Sequence, residues 1–293
     1  MNMQPLCKGV PVIIQGITGH QGRIHTVAMK QFGTNIVAGV SPGKEGQLAD
    51  GTPVYETVHE CVRRFGAETS VIFVPALHAK EAAFEALEAG IQTLVMVTEH
   101  LPPIDTVRIA QYARSMGATL IGPNSPGIVV PNVVKLGIMP NSIFMPGPIG
   151  VVSRSGTLTY EVVQSLTDSG IGQALCIGIG GDAVTGTSMV EALKMCEMAG
   201  NVKGIVLIGE IGGAAEEMAA EYILDKMSLP VVSFVAGMTA PAGKRMGHAG
   251  AIISRGTGSA EDKVKRLSEA GVDVATRISV IPKLISTAIR SSR

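Results

Sequence analysis

Apolar residues recur in short runs along the whole chain, each closed by glycine, proline or a small polar residue and followed by a stretch of helical period. The first run, residues 10–15, ends at Gly16. Gly16-Ile17-Thr18-Gly19-His20-Gln21-Gly22 then leads into a helix reaching residue 31, and residues 35–40 form a second run. Strand, glycine-rich turn, helix and strand within about 30 residues make a βαβ unit. The alternation continues with helices over 57–65, 79–89 and 103–116 and strands over 70–74, 92–97 and 119–121. Such alternation predicts a parallel sheet with helices on both faces, and ligands beyond the carboxyl ends of its strands. Thr18, Lys44, Pro75, Thr98 and Asn124 all fall at such ends.

Residues 122–148 then carry Pro123, Pro126, Pro131, Pro140, Pro146 and Pro148, a density that breaks regular structure and marks a junction. Lys135-Leu136-Gly137-Ile138 suggests a short hairpin inside it. A second alternating series follows, with strands over 150–153, 173–177, 203–208, 231–236 and 272–275. Its helices run to 169 and over 188–199, 214–225, 260–270 and 280–289. The expected organisation is therefore a Rossmann-like domain over 1–123, a junction over 124–148 and a flavodoxin-like, doubly wound domain over 149–293. Both domains belong to the α/β class.

Composition agrees with that picture. A chain of 293 residues suggests two domains. With 46% hydrophobic and 16% charged residues it is a well-buried globular protein, and 36 glycines beside 3% aromatics suit many turns between aliphatic strands. Net charge is zero, which gives no reason to expect nucleic acid or a membrane as partner. The distribution is uneven, however. Lys8, Arg23, Lys30 and Lys44 precede the first acid, Glu45, so the first 44 residues carry +4 and suit a polyanion. Cys7, Cys61, Cys176 and Cys196 form no Cys-x-x-Cys pair, consistent with buried thiols in a reducing compartment. No apolar run is long enough to span a membrane. The early first strand leaves no room for a presequence, so the chain is expected in the cytoplasm, or in an organelle matrix as a mature form.

The chemistry narrows in steps. A dinucleotide fold wants an acid at the end of its second strand for the ribose hydroxyls. Here that place reads Gly39-Val40-Ser41-Pro42-Gly43-Lys44, a lysine and no acid. This argues against an NAD-dependent oxidoreductase and for a ligand with phosphates at that end, such as coenzyme A. Two near-misses for a nucleotide P-loop, around residues 39–45 and 237–245, have the wrong glycine spacing and no hydroxyl after the lysine. No metal-ligand spacing appears. Ser153-Arg154-Ser155-Gly156-Thr157 lacks the glycine a nucleophile elbow needs, but its position between strand and helix could cradle a phosphate. Ser153, Ser155 and Gly156 are the phosphate candidates there, with Gly180 and Gly181 in Gly178-Ile179-Gly180-Gly181-Asp182.

Six histidines occur, and only His248 lies beyond residue 100. It sits in Gly243-Lys244-Arg245-Met246-Gly247-His248-Ala249-Gly250-Ala251, whose small residues admit a ligand and whose cations attract anions. Glu210, closing an apolar run in Gly209-Glu210-Ile211-Gly212-Gly213, is the best candidate to orient that imidazole. A histidine nucleophile needs its second nitrogen donating to such an acceptor.

The His248 loop resembles the phosphohistidine loop of succinyl-CoA synthetase α subunits, and the resemblance extends over nearly the whole chain. It includes residues 16–22, Ser41-Pro42-Gly43-Lys44, Val97-Thr98-Glu99, Gly122-Pro123-Asn124, residues 153–161, 178–182 and 209–213. The resemblance implies coenzyme A binding by Thr18, Gly19, His20, Gln21, Lys44, Val97, Thr98 and Glu99. It implies a transiently phosphorylated His248 partnered by Glu210, and an acid site involving Tyr160, near Asn124 and Ser125. The implied reaction converts phosphate and succinyl-CoA to succinyl phosphate and CoA, moves the phosphoryl group to His248, and delivers it to a nucleoside diphosphate. An ATP-grasp β subunit, in a heterodimer or heterotetramer, would hold ATP or GTP with Mg²⁺. Two positions depart from the family pattern: Ser125 stands for the usual Cys, and Ala183 follows Gly-Gly-Asp where Pro is usual. Malate–CoA ligase subunits share most of these motifs and are the alternative. A module that only holds CoA is a third reading, but it would not need the Glu210 and His248 pair.

Overall fold

The computed structural model describes residues 6–241, 243–253 and 258–291. The expectation about a presequence rests on the first residues, of which 1–5 lie outside that set. The chain divides into two compact units, Met1–Asn141 with Val184–Thr187, and Ser142–Ala183 with Ser188–Arg293.

Unit one contains β1 (Val12–Gln15), α1 (His20–Phe32), β2 (Ile36–Val40), β3 (Leu48–Ala49), β4 (Thr52–Tyr55), α2 (Val58–Phe65), β5 (Thr69–Ile72), α3 (Ala76–Glu88), β6 (Thr93–Met96), α4 (Pro103–Ser115) and β7 (Thr119–Ile121). Their order across the sheet is β3-β4-β2-β1-β5-β6-β7, all parallel except β3. Leaving β3 aside, this is the 3-2-1-4-5-6 order of a Rossmann unit. The core is aliphatic, with Ile13, Ile72, Leu87, Leu94, Met96 and Ile109 fully buried. Two glycines let its first elements close up. A Cβ on Gly22 would lie 2.2 Å from the Gly16 carbonyl oxygen, and one on Gly39 would lie 2.2 Å from Ile17 Cγ2. Filling either place overpacks the strand–helix contact at a cost of about 1–3 kcal/mol.

The proline-rich stretch holds more strand than its composition suggests. β8 (Gly127–Val130) and β9 (Val134–Gly137) form an antiparallel hairpin turning at Asn132, whose φ is 63°. The hairpin expected at 135–138 is thus its second arm. The strand beginning at Pro146 also carries Pro148, and both prolines precede Ile149, ahead of the register in which the strand pairs regularly with its neighbours.

Unit two runs β10 (Pro146–Ser153), α5 (Gly156–Asp168), β11 (Gln173–Gly178), α6 (Met189–Met198), β12 (Gly204–Glu210), α7 (Ala215–Lys226), β13 (Val231–Ala236), α8 (Ala260–Glu269), β14 (Asp273–Val274) and α9 (Ile281–Ser291). These five strands are parallel and ordered β14-β13-β12-β10-β11. Read from the other edge this is 2-1-3-4-5, the flavodoxin-like order. β12 is buried along its whole length, as a central parallel strand covered on both faces must be. The direction of winding changes between β10 and β12, so a ligand crevice belongs beyond their carboxyl ends.

Candidate active site

Four strand ends of unit two converge at that crevice. β10 delivers Arg154, β11 leads into Gly180-Gly181-Asp182, β12 ends at Glu210, and β13 leads into the loop bearing His248. The loop is tied across its base by Gly243 N–H to the Ile253 carbonyl (3.0 Å) and Met246 N–H to the Ala251 carbonyl (2.9 Å). Gly250 N–H donates to the Gly181 carbonyl at 3.1 Å and fixes the loop against the turn after β11. Several approaches here admit no side chain. A Cβ on Gly181 would sit 2.5 Å from His248 Cγ, one on Gly212 would sit 2.0 Å from the Gly250 carbonyl oxygen, and one on Gly250 would meet Arg154 Nη2 at 2.9 Å.

His248 Nδ1 lies 2.8 Å from Glu210 Oε2. A carboxylate only accepts, so the proton sits on Nδ1 and Nε2 keeps its lone pair. The Glu210 side chain is 8% exposed and the imidazole 29%, so the acid is enclosed while the ring reaches solvent. The histidine pKa is raised, chiefly by the hydrogen bond to Glu210. Burial opposes this, the charges of Glu210 and Asp182 add to it, and Arg154 works against it. Arg154 is itself buried. Its Nη1 donates to the Gly212 carbonyl at 2.9 Å and to Glu216 Oε1 at 3.3 Å.

The other expected residues of unit two are placed as follows. Ser153 is fully buried, and its hydroxyl donates to the Ser155 carbonyl at 2.9 Å. The Ser155 hydroxyl caps α5 by accepting from Leu158 N–H at 3.4 Å. The two hydroxyls are therefore engaged within the turn, and the N–H groups of Gly156 and Thr157 open the helix. Gly180 has φ 107°, a left-handed conformation that favours glycine. Tyr160 is half-buried on α5, and burial, with a smaller push from Cys176, moves its phenol up to about 12, so it is a neutral donor at pH 7.

In unit one, Gly19 caps α1 without a side-chain hydrogen bond, and no acid occupies the first turn. The α1 N-terminus, opening with His20 and Gln21, thus presents backbone donors and a positive dipole end. Thr18 Oγ1 donates to Ser41 Oγ at 3.0 Å, and Lys44 N–H closes a turn on the Ser41 carbonyl at 3.1 Å, which carries the exposed Lys44 side chain beside the β2 terminus. A cleft of about 510 Å³ lies at the ends of β1, β2 and β5, lined by Gly16, Val40, Pro42, Val74 and Pro75 among others. A second, of about 440 Å³, gathers Gln21, Val97, Thr98 and Glu99 with Phe73 and Ile138. Four of the expected coenzyme residues thus share one wall. Thr98 Oγ1 donates to the Val74 carbonyl at 2.7 Å, and Asn124 N–H to the Thr98 carbonyl at 2.9 Å. Ser125 is buried, and its hydroxyl accepts from Gly127 N–H at 2.9 Å.

Sequence reasoning passed over three members of the His248 environment: Arg154 as a contact, Glu216 and Lys263. A charge following a strand, or lying on a polar helix, reads as solvated. Their burial becomes visible only once partners from distant segments are in place.

An anion-ready Rossmann unit and a flavodoxin-like unit with a carboxylate-supported histidine define the CoA ligase class. Family descriptions agree: residues 8–100 match a CoA binding domain and residues 152–273 match a CoA-ligase domain. The chain is 52% identical over 275 residues to the succinate–CoA ligase [ADP-forming] subunit alpha 2 of Archaeoglobus fulgidus, covering 94% of this chain and 96% of that one. It is 54% identical over 269 residues to the corresponding alpha subunit of Methanothermobacter thermautotrophicus, covering 92% and 91%. The chain belongs to the succinate–CoA ligase α-subunit family. Among solved structures, ATP citrate lyase of Methanosaeta concilii superposes with a TM-score of 0.89 at 23% identity, over 98% of this chain and 50% of that one. The dinucleotide-forming acetyl-coenzyme A synthetase 1 of Ca. Korarchaeum cryptofilum gives 0.72 at 17% identity, over 99% and 62%. These two likenesses concern the fold, and the chain spans only about half to three-fifths of those longer proteins.

Proposed function

We propose that this chain is the acyl- and phosphohistidine-bearing half of an ADP-forming succinate–CoA ligase. The observation that carries the reading is the 2.8 Å contact of Nδ1 with Glu210, which leaves Nε2 as the nucleophilic nitrogen. Phosphate displaces CoA from succinyl-CoA, giving succinyl phosphate and the free thiol. Nε2 of His248 then attacks phosphorus. The N–P bond forms, the P–O bond to the succinyl carboxylate breaks, and succinate leaves. The ring becomes cationic as the bond forms, and Glu210 stabilises that charge through Nδ1–H. Transfer from Nε2 to a nucleoside diphosphate restores the neutral ring. Backbone N–H groups of Gly156, Thr157, Gly180 and Gly181 serve the phosphoryl oxygens, because such transfer depends mostly on positioning and charge stabilisation.

Coenzyme A fits unit one. Its phosphates have an uncapped helix terminus and Lys44, and its apolar arm has clefts walled by Val40, Pro42, Val74 and Pro75. We assign the coenzyme task to the domain over 1–123 and the phosphoryl task to the domain over 149–293; the compact units themselves part inside the intervening stretch, between Asn141 and Ser142, with Val184–Thr187 grouped in unit one. Lys44→Ala is expected to raise the CoA KM about tenfold while leaving kcat within twofold, from loss of one charge-assisted contact to phosphate. Steady-state kinetics with varied CoA measure it, and an unchanged KM removes Lys44 from the site.

The naming of the relatives as alpha subunits supports a β partner. We assign to it an ATP-grasp fold and the nucleotide with Mg²⁺, whose charge would neutralise the phosphates. Cytoplasmic residence accords with the bacterial and archaeal relatives and with four free cysteines. The test is to co-purify the partner chain, incubate with γ-labelled ATP or GTP, and map the label by mass spectrometry. Acid-labile phosphate on His248, discharged by succinate with CoA, is the expected result. Discharge by malate instead selects the malate ligase, and label on another residue overturns the assignment.

A further inference from the structure

Beneath the histidine lies a chain of buried charges that the phosphoryl transfer itself does not touch. Lys263 in α8 and Glu216 in the first turn of α7 have no exposed side-chain surface. The Lys263 ammonium donates to Glu216 Oε2, to Glu217 Oε2 at 2.9 Å and to the Gly213 carbonyl at 3.0 Å. All three of its protons are thereby placed. The second oxygen, Glu216 Oε1, accepts from Glu210 N–H at 3.1 Å and from Arg154 Nη1 at 3.3 Å. The carboxylate lies tight against β12, since a Cβ on Gly209 would meet Glu216 Cγ at 2.6 Å.

The consequence appears at Arg154 Nη2, which stops 3.7 Å from Glu210 Oε1. That is too long for a hydrogen bond. Among the described residues, Glu210 Oε1 is buried and has no hydrogen-bond partner. A guanidinium free to move would close on the carboxylate in the two-pronged geometry both groups favour. It does not, because Nη1 is held by Glu216 Oε1, by the Gly212 carbonyl and, at 3.5 Å, by the backbone carbonyl of Glu210 itself. Glu210 therefore keeps its acceptor strength for Nδ1–H of His248.

We propose that the Lys263–Glu216 pair positions Arg154 at a set distance from Glu210 and so governs how strongly Glu210 supports the phosphorylated histidine. The proposal rests on the reading of His248 as the phosphoryl carrier. Glu216, Lys263 and Arg154 act through Glu210 and are positioning residues. The charged groups facing the ring are Glu210 from β12, Arg154 from the turn after β10 and Asp182 from the turn after β11. Lys244 and Arg245 lie exposed on its own loop.

Opposite substitutions should move the histidine in opposite directions. Glu216→Gln removes the anion that restrains Arg154. The guanidinium then closes on Glu210, and His248 gives up its second proton more readily. Lys263→Met leaves Glu216 uncompensated, Arg154 is drawn further from Glu210, and His248 holds its proton more tightly. Glu217→Gln, at a partly exposed carboxylate, concentrates Lys263 on Glu216 and acts weakly in the first direction.

The readout is the pH dependence of single-turnover labelling of His248 in the complex with its co-purified partner chain. Labelling needs Nε2 unprotonated, so the rate falls on the acid side. The wild-type midpoint is expected above 6.5, the ordinary imidazole value. Glu216→Gln and Glu217→Gln are expected to move it down and Lys263→Met to move it up, by about 0.3–1 pH unit. Glu216→Asp, which keeps the charge, should restore most of the wild-type profile. General damage to the fold would slow every variant without separating their midpoints. Coincident midpoints, or shifts of one sign for Glu217→Gln and Lys263→Met, overturn the positioning role while leaving the carrier intact. Absence of label on His248 in the wild type overturns both.

Discussion

With His248→Asn, turnover of the assembled enzyme is expected to fall by about 10⁴-fold or more, the scale on which loss of a covalent nucleophile is felt. Asparagine is the informative replacement. Its amide can still donate to Glu210 Oε2, so the carboxylate is not left bare, but it cannot form the N–P bond. The acid-labile label should vanish with the activity. The CoA KM of any residual exchange should be unchanged, because the residues assigned to CoA belong to unit one. The folded protein should also report the lost titration. The pKa of His248 is raised by its partner, so its stabilising contribution is fully present below about 6.5, the unfolded imidazole value. That contribution is lost as pH rises through the folded value. Thermal melts of wild type and variant should therefore differ most below pH 6 and converge in alkali. Turnover within tenfold of wild type in the Asn variant would remove the phosphohistidine from the mechanism.

The alternation of apolar runs and helical stretches was enough to predict two parallel sheets, since each βα repeat has one economical way to bury its faces. Strand order was a separate matter. The order 3-2-1-4-5-6 in one unit and 2-1-3-4-5 in the other arises from which neighbours pair, and periodicity is silent on that. The β3–β4 hairpin escaped notice although its turn, Asp50-Gly51, has the residues such a turn requires. Both have positive φ, 50° and 75°, as a two-residue hairpin demands. Its strands are only two and four residues long, too short for alternation to stand out. β8 and β9 were obscured differently, by prolines that lie just outside the strands rather than within them.

The candidate site divided along the same line. His248 and Glu210 were legible because each carries a local signature, a small-residue loop around one imidazole and an acid terminating an apolar run. Lys44 stands exposed beside the β2 terminus, where the sequence has a cation in place of a ribose-binding acid, and its contact with coenzyme A belongs to the proposal. Arg154, Glu216 and Lys263 have no such signature. Their burial is tolerable only because each offsets another: Lys263 is 109 residues from Arg154 along the chain, yet both bind the carboxylate of Glu216. Isolated, each would cost several kcal/mol or change its protonation, roughly what burying an unpaired charge entails. A pairing this distant leaves no trace in spacing.

Gly181→Ala is expected to lower the rate of His248 phosphorylation about 100-fold with little loss of fold, and the reason is steric alone. An added Cβ would lie 2.5 Å from His248 Cγ, 2.7 Å from Cδ2 and 2.8 Å from Nδ1, so it strikes the ring broadside. The ring must leave its place, because the other wall of the contact is backbone held by Gly250 N–H on the Gly181 carbonyl. Displacement by about 1 Å is enough to lose two orders of magnitude when a nucleophile must meet phosphorus in line. It also breaks the bond to Glu210, so the imidazole returns toward its ordinary pKa and the acid limb of the profile moves down. Gly181 is not among the glycines with positive φ, and alanine meets no backbone penalty there. The glycine expected from the sequence to cradle phosphate is, in the structure, the floor on which the imidazole rests. Single-turnover labelling with CoA binding measured alongside separates the outcomes: slow labelling with normal CoA affinity supports the stacked geometry. Wild-type labelling in the alanine variant would mean that the ring works from another position than the one it holds against Glu210.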